Sequence, residues 1–534
     1  MSTQIDRFVH ERMPASSDLP QFIFERPELQ FPTQLNAVVE LLDRNVVNGN
    51  GQRILLRDTR ESLTYVQVLD RVNQLARVLT EDYGLVTGNR VLLRGGNSIL
   101  MALGWLAVVK VGLIAVATMP MLRARELAGV IDKGQVSHAL CADALTEELL
   151  LAQTLCPVLR RVITFSEAQR EANSKSTDCP AAITDGDDIA LMAYTSGTTG
   201  APKAALHTHR DVMAACETWP RHVLKAEPDD IVVGTPPLAF TFGLGGMLLF
   251  PMWAGASVYF PDAAYTPESM VKTINDVGAT ICYTAPTLYR RMAPVAEASP
   301  MPTLRICVSA GENLPDATRQ LWKWATGVDL LDGIGATEMF HIFISSAADQ
   351  VRPGAIGKVV PGYAARVVDD DGNSVPAGTV GKLAVIGPTG CKYLDEPRQK
   401  KYVKNGWNYP GDSFVMDADG YFLYQSRDDD MIITSGYNVA GPEVENCLGQ
   451  HTAVAECAVV GLPDEARGMI VTAFVVVKPG VVADEQLKAR LQDFAKANLA
   501  PYKYPRQIEF VASLPRTETG KLQRHRLRHS ETSR

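Results

Sequence analysis

Short apolar runs alternate with amphipathic stretches along most of the chain, and this alternation predicts the architecture. Leu35, Val38, Val39, Leu41 and Leu42 recur at helical spacing, and Arg53 to Arg57 reads as a short strand. Thr64-Tyr65-Val66-Gln67 opens a helix whose apolar face carries Leu69, Val72, Leu75, Ala76 and Leu79. Runs at 89–93, 112–118, 138–141, 161–164 and 188–194 read as strands, with helices between them at 99–109 and 123–133. Beyond residue 203 the pattern predicts a helix over 207–219 and strands at 231–235, 278–283, 304–310 and 329–335. Such an alternation implies parallel sheets covered by helices on both faces.

From about Arg352 the texture changes to short Gly- and Val-rich strands, at 365–368 and 381–386, and a hairpin over 413–424. These suit a small β-barrel or a twisted sheet. Asp428-Asp429-Asp430 marks a boundary, after which strands at 431–433, 456–460, 471–477 and 507–511 and helices from Pro442 and over 486–498 form an α+β unit. The expected fold class is therefore α/β. A large N-terminal domain, 1–428, combines helix-covered parallel sheets with a small barrel-like part, and a small mobile C-terminal domain spans 429–534.

Composition narrows the picture. A chain of 534 residues exceeds one compact core. With 52 basic against 60 acidic residues, its net charge of −8 argues against a general nucleic-acid binder. The apolar tracts at 99–119 and 237–260 are interrupted by Lys110 and Gly112, and by Pro251 and several glycines, so neither predicts a membrane span. Nine dispersed cysteines without a Cys-x-x-Cys pair read as reduced thiols, and the N-terminus has no apolar signal core. The expectation is a cytoplasmic protein with neither membrane nor nucleic-acid partner.

Candidate chemistry begins at the strand 189–193, which feeds into Thr195-Ser196-Gly197-Thr198-Thr199-Gly200-Ala201-Pro202-Lys203. Glycines let backbone N–H groups turn toward one point, hydroxyls add donors and the lysine adds charge, which together suit a phosphate chain. The usual nucleotide loop is excluded, because Ala201 and Pro202 separate Gly200 from Lys203 and Ala204 follows it. Four further segments stand out: Ser309-Ala310-Gly311-Glu312, Asp332 through Phe343, Tyr409-Pro410-Gly411-Asp412 and Ser426 through Asp430. Asp332, at a strand end beside small residues, can reach a metal or a ribose. Asp412, after a Pro-Gly turn, can accept hydrogen bonds from two vicinal hydroxyls. Near the end of the chain lies Pro515-Arg516-Thr517-Glu518-Thr519-Gly520-Lys521.

In order and spacing these segments resemble the adenylate-forming superfamily of acyl-CoA and aryl-CoA synthetases, luciferases and peptide-synthetase adenylation domains. The resemblance implies that a carboxylate first attacks the α-phosphorus of MgATP, and that the thiol of coenzyme A then takes the acyl group. It implies that Thr195, Ser196, Gly197, Thr198, Thr199, Gly200 and Lys203 grip the pyrophosphate side and that Gly311 and Glu312 lie against the adenine. Thr337 would contact the α-phosphate, Glu338 hold Mg2+, Asp412 bind ribose and Arg427 lie near ribose or phosphate. Asp429 would be the hinge, and Lys521 would swing in to bridge the acid and the α-phosphate. Two departures are Ser426 in place of the usual glycine and Pro442 one residue late, with Gly441 in its place.

The acid is expected between 240–245 and 333–341. Phe240 and Phe242 would be its flanks, Gly335 and Ile334 a flat wall and His341 a polar contact, a slot suited to an aryl ring. The stretch 335–343 resembles benzoate-CoA ligases, and 27–43 resembles 2-aminobenzoate-CoA ligases more particularly. The Thr241 hydroxyl is then expected to meet an ortho-amino group. The implied activity is an ATP- and Mg2+-dependent aryl-CoA ligase for 2-aminobenzoate or benzoate, a monomer or homodimer. A ligase for a hydroxybenzoate or medium-chain acid, or an adenylation enzyme loading a carrier protein, remains open.

Overall fold

The computed structural model describes residues 2–195, 202–312, 314–427, 430–434, 437–464, 467–499, 502–517 and 522–529. Ser196, Gly197, Thr198, Thr199, Gly200, Asp429 and Lys521 lie outside them. Among the described residues the strands form four sheets.

In the first sheet Arg161–Thr164, His138–Cys141, Arg90–Arg94, Ile114–Thr118 and Ile189–Thr195 run parallel in that order. Helix Ile99–Lys110, apolar on every side, is buried along almost its whole length between elements of this core. No helix among the described residues is long and apolar enough to cross a membrane. In the second, nine-stranded sheet, six neighbouring strands run parallel, from Leu330–Gly335 through Ile306–Ser309, Ile281–Thr284, Ile231–Gly234 and Ser257–Tyr259 to Ile54–Arg57. Antiparallel strands close both of its edges. The expected helix-covered parallel sheets are thus present, and the candidate segments follow strand C-termini, where open α/β sheets place their ligands.

Two expectations are corrected. His207 and Thr208 end a strand, Lys203–Thr208, instead of starting the expected helix 207–219, and the helix is the shorter His209–Glu217. Lys203–Thr208 pairs antiparallel with Ile189–Thr195, with Thr195 opposite Lys203, so the ladder claims backbone groups that local pattern assigned to a helical turn. Thr208 then caps the helix, accepting from the Asp211 N–H while the Asp211 carboxylate accepts from its own N–H. The second correction concerns 364–427, an antiparallel sheet with Val403–Lys404 at one edge and Phe422–Arg427 at the other. Among the described residues these edges do not meet, so the sheet is open rather than a barrel.

The fourth sheet is built from the long hairpin Val454–Asp464 and Gly468–Val477, joined by Ile432–Thr434, Tyr437–Val439 and Gln507–Phe510. Helices Gly441–Gly449 and Glu485–Asn498 bury Val444, Leu448, Leu487, Leu491 and Ala495 in a separate apolar cluster.

Candidate active site

Thr337 and Glu338 lie on the short 3-10 turn Thr337–Met339 that follows strand Leu330–Gly335. The chain then reverses at Phe340 (φ 71°, ψ −57°), a γ-turn closed by the His341 N–H donating to the Met339 carbonyl at 3.0 Å. Such a turn is strained for a bulky residue and persists only when its surroundings hold it. Here three neighbours do so. The His207 ring Nε2 lies 2.7 Å from the Thr337 carbonyl, the Thr389 hydroxyl donates to the Met339 carbonyl at 2.7 Å, and the Phe340 ring packs edge-on against His207.

Behind His207 is a buried ion pair, Lys392 Nζ to Asp211 Oδ2 at 2.8 Å. Burial pushes His207 down to about 4, so the ring is neutral at physiological pH and its Nε2–H donates to Thr337. The neighbouring Tyr393 hydroxyl donates to Glu338 Oε1. Lys203 completes this side: its ammonium lies 5.8 Å from the centre of the Tyr393 ring, and burial lowers its pKa. Strand Lys203–Thr208, the 389–393 segment and the Thr337–Met339 turn thus converge, tied further by Leu206 N–H to the Lys392 carbonyl at 2.7 Å.

Asp412 and Arg427, distant in sequence, are cross-strand partners. Arg427 Nη1 reaches Asp412 Oδ2 at 3.1 Å and the Pro410 carbonyl at 3.0 Å. Glu312 accepts from the Thr287 hydroxyl at 2.6 Å and from Arg516 Nη1 at 3.2 Å, and Arg516 also reaches Glu456 at 3.0 Å. Arg516 and Leu522, described residues before and after Lys521, pair with each other. Gly311 has a left-handed backbone (φ 93°), which a side chain would strain. Asp332 is buried; its Oδ1 accepts from the Gly333 N–H at 2.9 Å, and Arg319 stands 3.8 Å away. That distance is too long to offset burial, which pushes Asp332 up to about 7.

Next to the turn, His341 is enclosed by rings: Phe250 at 4.5 Å, Trp219 at 5.3 Å and Phe242 at 5.4 Å between centroids. Tyr283 joins the cluster through Phe242 at 5.8 Å and Trp219 at 6.3 Å. Gly245 and Gly246 permit the close approach, since an added Cβ would come within 2.8 Å of the His341 ring and 2.7 Å of the Tyr283 ring. Trp219 Nε1, the Tyr283 hydroxyl and both His341 ring nitrogens are buried and make no hydrogen bond with a described residue. The Phe242 backbone comes close to His341 without completing one, and burial pushes this histidine down to about 3. Each such group costs about 1–3 kcal/mol if nothing meets it. Ile334 is half-buried, paired across the sheet with Ile344, and Gly335 is exposed, its missing Cβ clearing the His341 carbonyl. Thr241 has other neighbours: with Phe240 it lines a cavity of about 10 Å³ against Trp105, Leu191 and Met192.

Comparison with known proteins gives the lineage. The AMP-binding enzyme family model matches residues 42–392, and the model of the AMP-binding enzyme C-terminal domain matches 443–521. The chain belongs to the AMP-binding enzyme family. Benzoate–CoA ligase of Thauera aromatica is 36% identical over 94% of this chain and 97% of its own. The 4-hydroxybenzoate–CoA/benzoate–CoA ligase of Rhodopseudomonas palustris is 32% identical over 92% and 94%. Among solved structures, an anthranilate CoA ligase, AuaEII, in complex with anthranoyl-AMP superposes with a TM-score of 0.90 at 35% identity, covering 95% of this chain and 99% of that one.

Within this AMP-binding enzyme the structure brings together Lys203 and Glu338 through Tyr393, Asp412 with Arg427, and Phe242 with His341. Sequence reasoning missed Tyr393, Thr389, Trp219, Tyr283 and the Lys392–Asp211 ion pair behind His207. The Thr208–Asp211 capping box was the one local signal that a strand ends at residue 208.

Proposed function

We propose that this chain is an AMP-forming aryl-CoA ligase. In the first step a carboxylate oxygen of an aromatic acid bonds to the α-phosphorus of ATP, and the bond from that phosphorus to the bridging oxygen breaks, releasing pyrophosphate. In the second step the thiol sulfur of coenzyme A bonds to the acyl carbon, the bond to AMP breaks and the thiol proton is lost. Lys203 and the 195–200 loop grip the leaving pyrophosphate, Thr337 the α-phosphate, and Asp412 with Arg427 the ribose. Gly311, Glu312 and Asp332 border the adenine end. Lys521 offsets the repulsion between the two reacting anions, and Asp429 is the pivot between a domain ending near 428 and the one that follows.

The metal fits the donor set. No group of three or more Asp, Glu, His or Cys among the described residues can hold a metal alone. Mg2+ commonly takes one carboxylate together with substrate phosphates and water. Glu338 would supply that carboxylate, and the ion would neutralise phosphate charge.

The aromatic cluster around His341 carries the aryl reading. It is lined by flat rings and close-packed glycines, and among its buried, unpartnered polar atoms the Tyr283 oxygen and the unprotonated nitrogen of neutral His341 can accept from the amino group of a ring such as 2-aminobenzoate, which benzoate and alkyl acids lack. Tyr283→Phe keeps the ring and deletes only its hydroxyl. It is expected to lower the 2-aminobenzoate to benzoate ratio of kcat/KM by about 10-fold, the worth of one buried hydrogen bond. Thr241→Ala is the companion variant, since a hydroxyl contact to the ortho-amino group would show as a fall in the same ratio. An unchanged ratio in both would remove the substituent from the proposal.

A further inference from the structure

We propose that Tyr393 is a positioning residue that keeps the Glu338 carboxylate available to the metal and separate from Lys203. The inference rests on the roles given above to Glu338 and Lys203.

Three observations carry it. The Tyr393 hydroxyl donates to Glu338 Oε1, a charge-assisted bond that fixes the carboxylate's orientation. The opposite charge, Lys203 Nζ, lies over the same ring at 5.8 Å. Among the described residues Lys203 makes no ion pair, with Glu338 or any other carboxylate, and the Tyr393 side chain touches both charges. Opposite charges on one half-buried ring attract each other, and MgATP would have to part an ion pair between them before either could bind a phosphate or the metal.

Tyr393 is itself held from several sides, which is what a positioning group requires. Its backbone N–H donates to Gln399 Oε1 at 2.9 Å, and its backbone bridges to Ala205 on the strand that carries Lys203. Its ring packs edge-on against Tyr402 with centroids 6.0 Å apart. The preceding residue, Lys392, is anchored by the Asp211 ion pair. A phenol, with an ordinary pKa of about 10, keeps its proton at physiological pH and donates. The ring is thus a fixed wedge with a hydrogen bond toward the carboxylate and a π-face toward the ammonium.

The test is calorimetric binding of ATP with Mg2+ and, separately, of ATP with a chelator. Tyr393→Phe keeps the wedge and deletes the hydrogen bond. The expected result is a Kd for MgATP raised about 10-fold, with the Kd for metal-free ATP and the KM for the acid each within about 2-fold of wild type. In a Glu338→Gln background the same substitution should change the MgATP Kd by less than about 2-fold, because the coupled charge is gone. Equal weakening of both ATP forms, no weakening of either, or a full effect that persists in the Glu338→Gln background would each overturn the proposal. If Glu338→Gln alone fails to weaken MgATP selectively, Glu338 itself loses its metal role, and that reading falls together with this one.

Discussion

Lys521→Ala is expected to cut acyl-adenylate formation about 1000-fold while leaving the Kd of MgATP within about 3-fold of wild type. The first step brings a carboxylate against a phosphate, and like charges at contact repel strongly in a site that excludes water. One ammonium bridging both anions acts only where they meet, so its loss appears in the rate and not in ATP affinity. The flanking chain is consistent with such a role. Arg516 reaches Glu312 and pairs with Leu522, so described residues before and after Lys521 are anchored to the segment that follows strand Ile306–Ser309. Single-turnover formation of the adenylate from labelled ATP, alongside equilibrium binding, separates the two quantities. Equal loss of binding and rate would contradict the division of labour between Lys521 and the pyrophosphate grip.

Glu338→Gln is expected to lower kcat/KM for ATP by about 100-fold, the usual cost of removing one electrostatic contact to a transferring phosphoryl group. The amide retains the acceptor for the Tyr393 hydroxyl and loses only the charge. No cluster of other acidic residues stands ready to replace it among the described residues. The deficit should be partly relieved by raising Mg2+, since added metal can enter on the phosphate oxygens alone. A defect of under about 5-fold, or one indifferent to Mg2+, would remove Glu338 from the metal site.

The parallel strands and the turns that end them were legible because both signals are local: an apolar run, then Gly with Thr, Glu or Asp. Asp412 and Arg427 were each legible singly, but their pairing depends on the register of a hairpin. The misread start of helix 207–219 has the same origin. Lys203–Thr208 is a strand because Ile189–Thr195 pairs with it, and side-chain periodicity carries no record of that partner. Tyr393 meets Glu338 across 55 positions, and nothing in Cys391-Lys392-Tyr393 distinguishes it from an ordinary buried tyrosine. Nothing in the pattern around Trp219 and Tyr283 sets them apart from core aromatics. That their polar atoms lack partners is a property of the packed interior, visible only once the rings are placed. Phe242 and His341 were named from sequence, whereas the unpartnered polar atoms of the ring cluster that holds them emerged from the fold.

The central claim, an aryl-CoA ligase acting through an adenylate, is tested most directly by pyrophosphate release across a panel of benzoates and fatty acids, followed by AMP release on adding coenzyme A. The account predicts acid-dependent pyrophosphate release with benzoates, strongest with 2-aminobenzoate, and AMP release that requires coenzyme A. Preference for fatty acids, or pyrophosphate release without coenzyme A dependence of the second step, would contradict it.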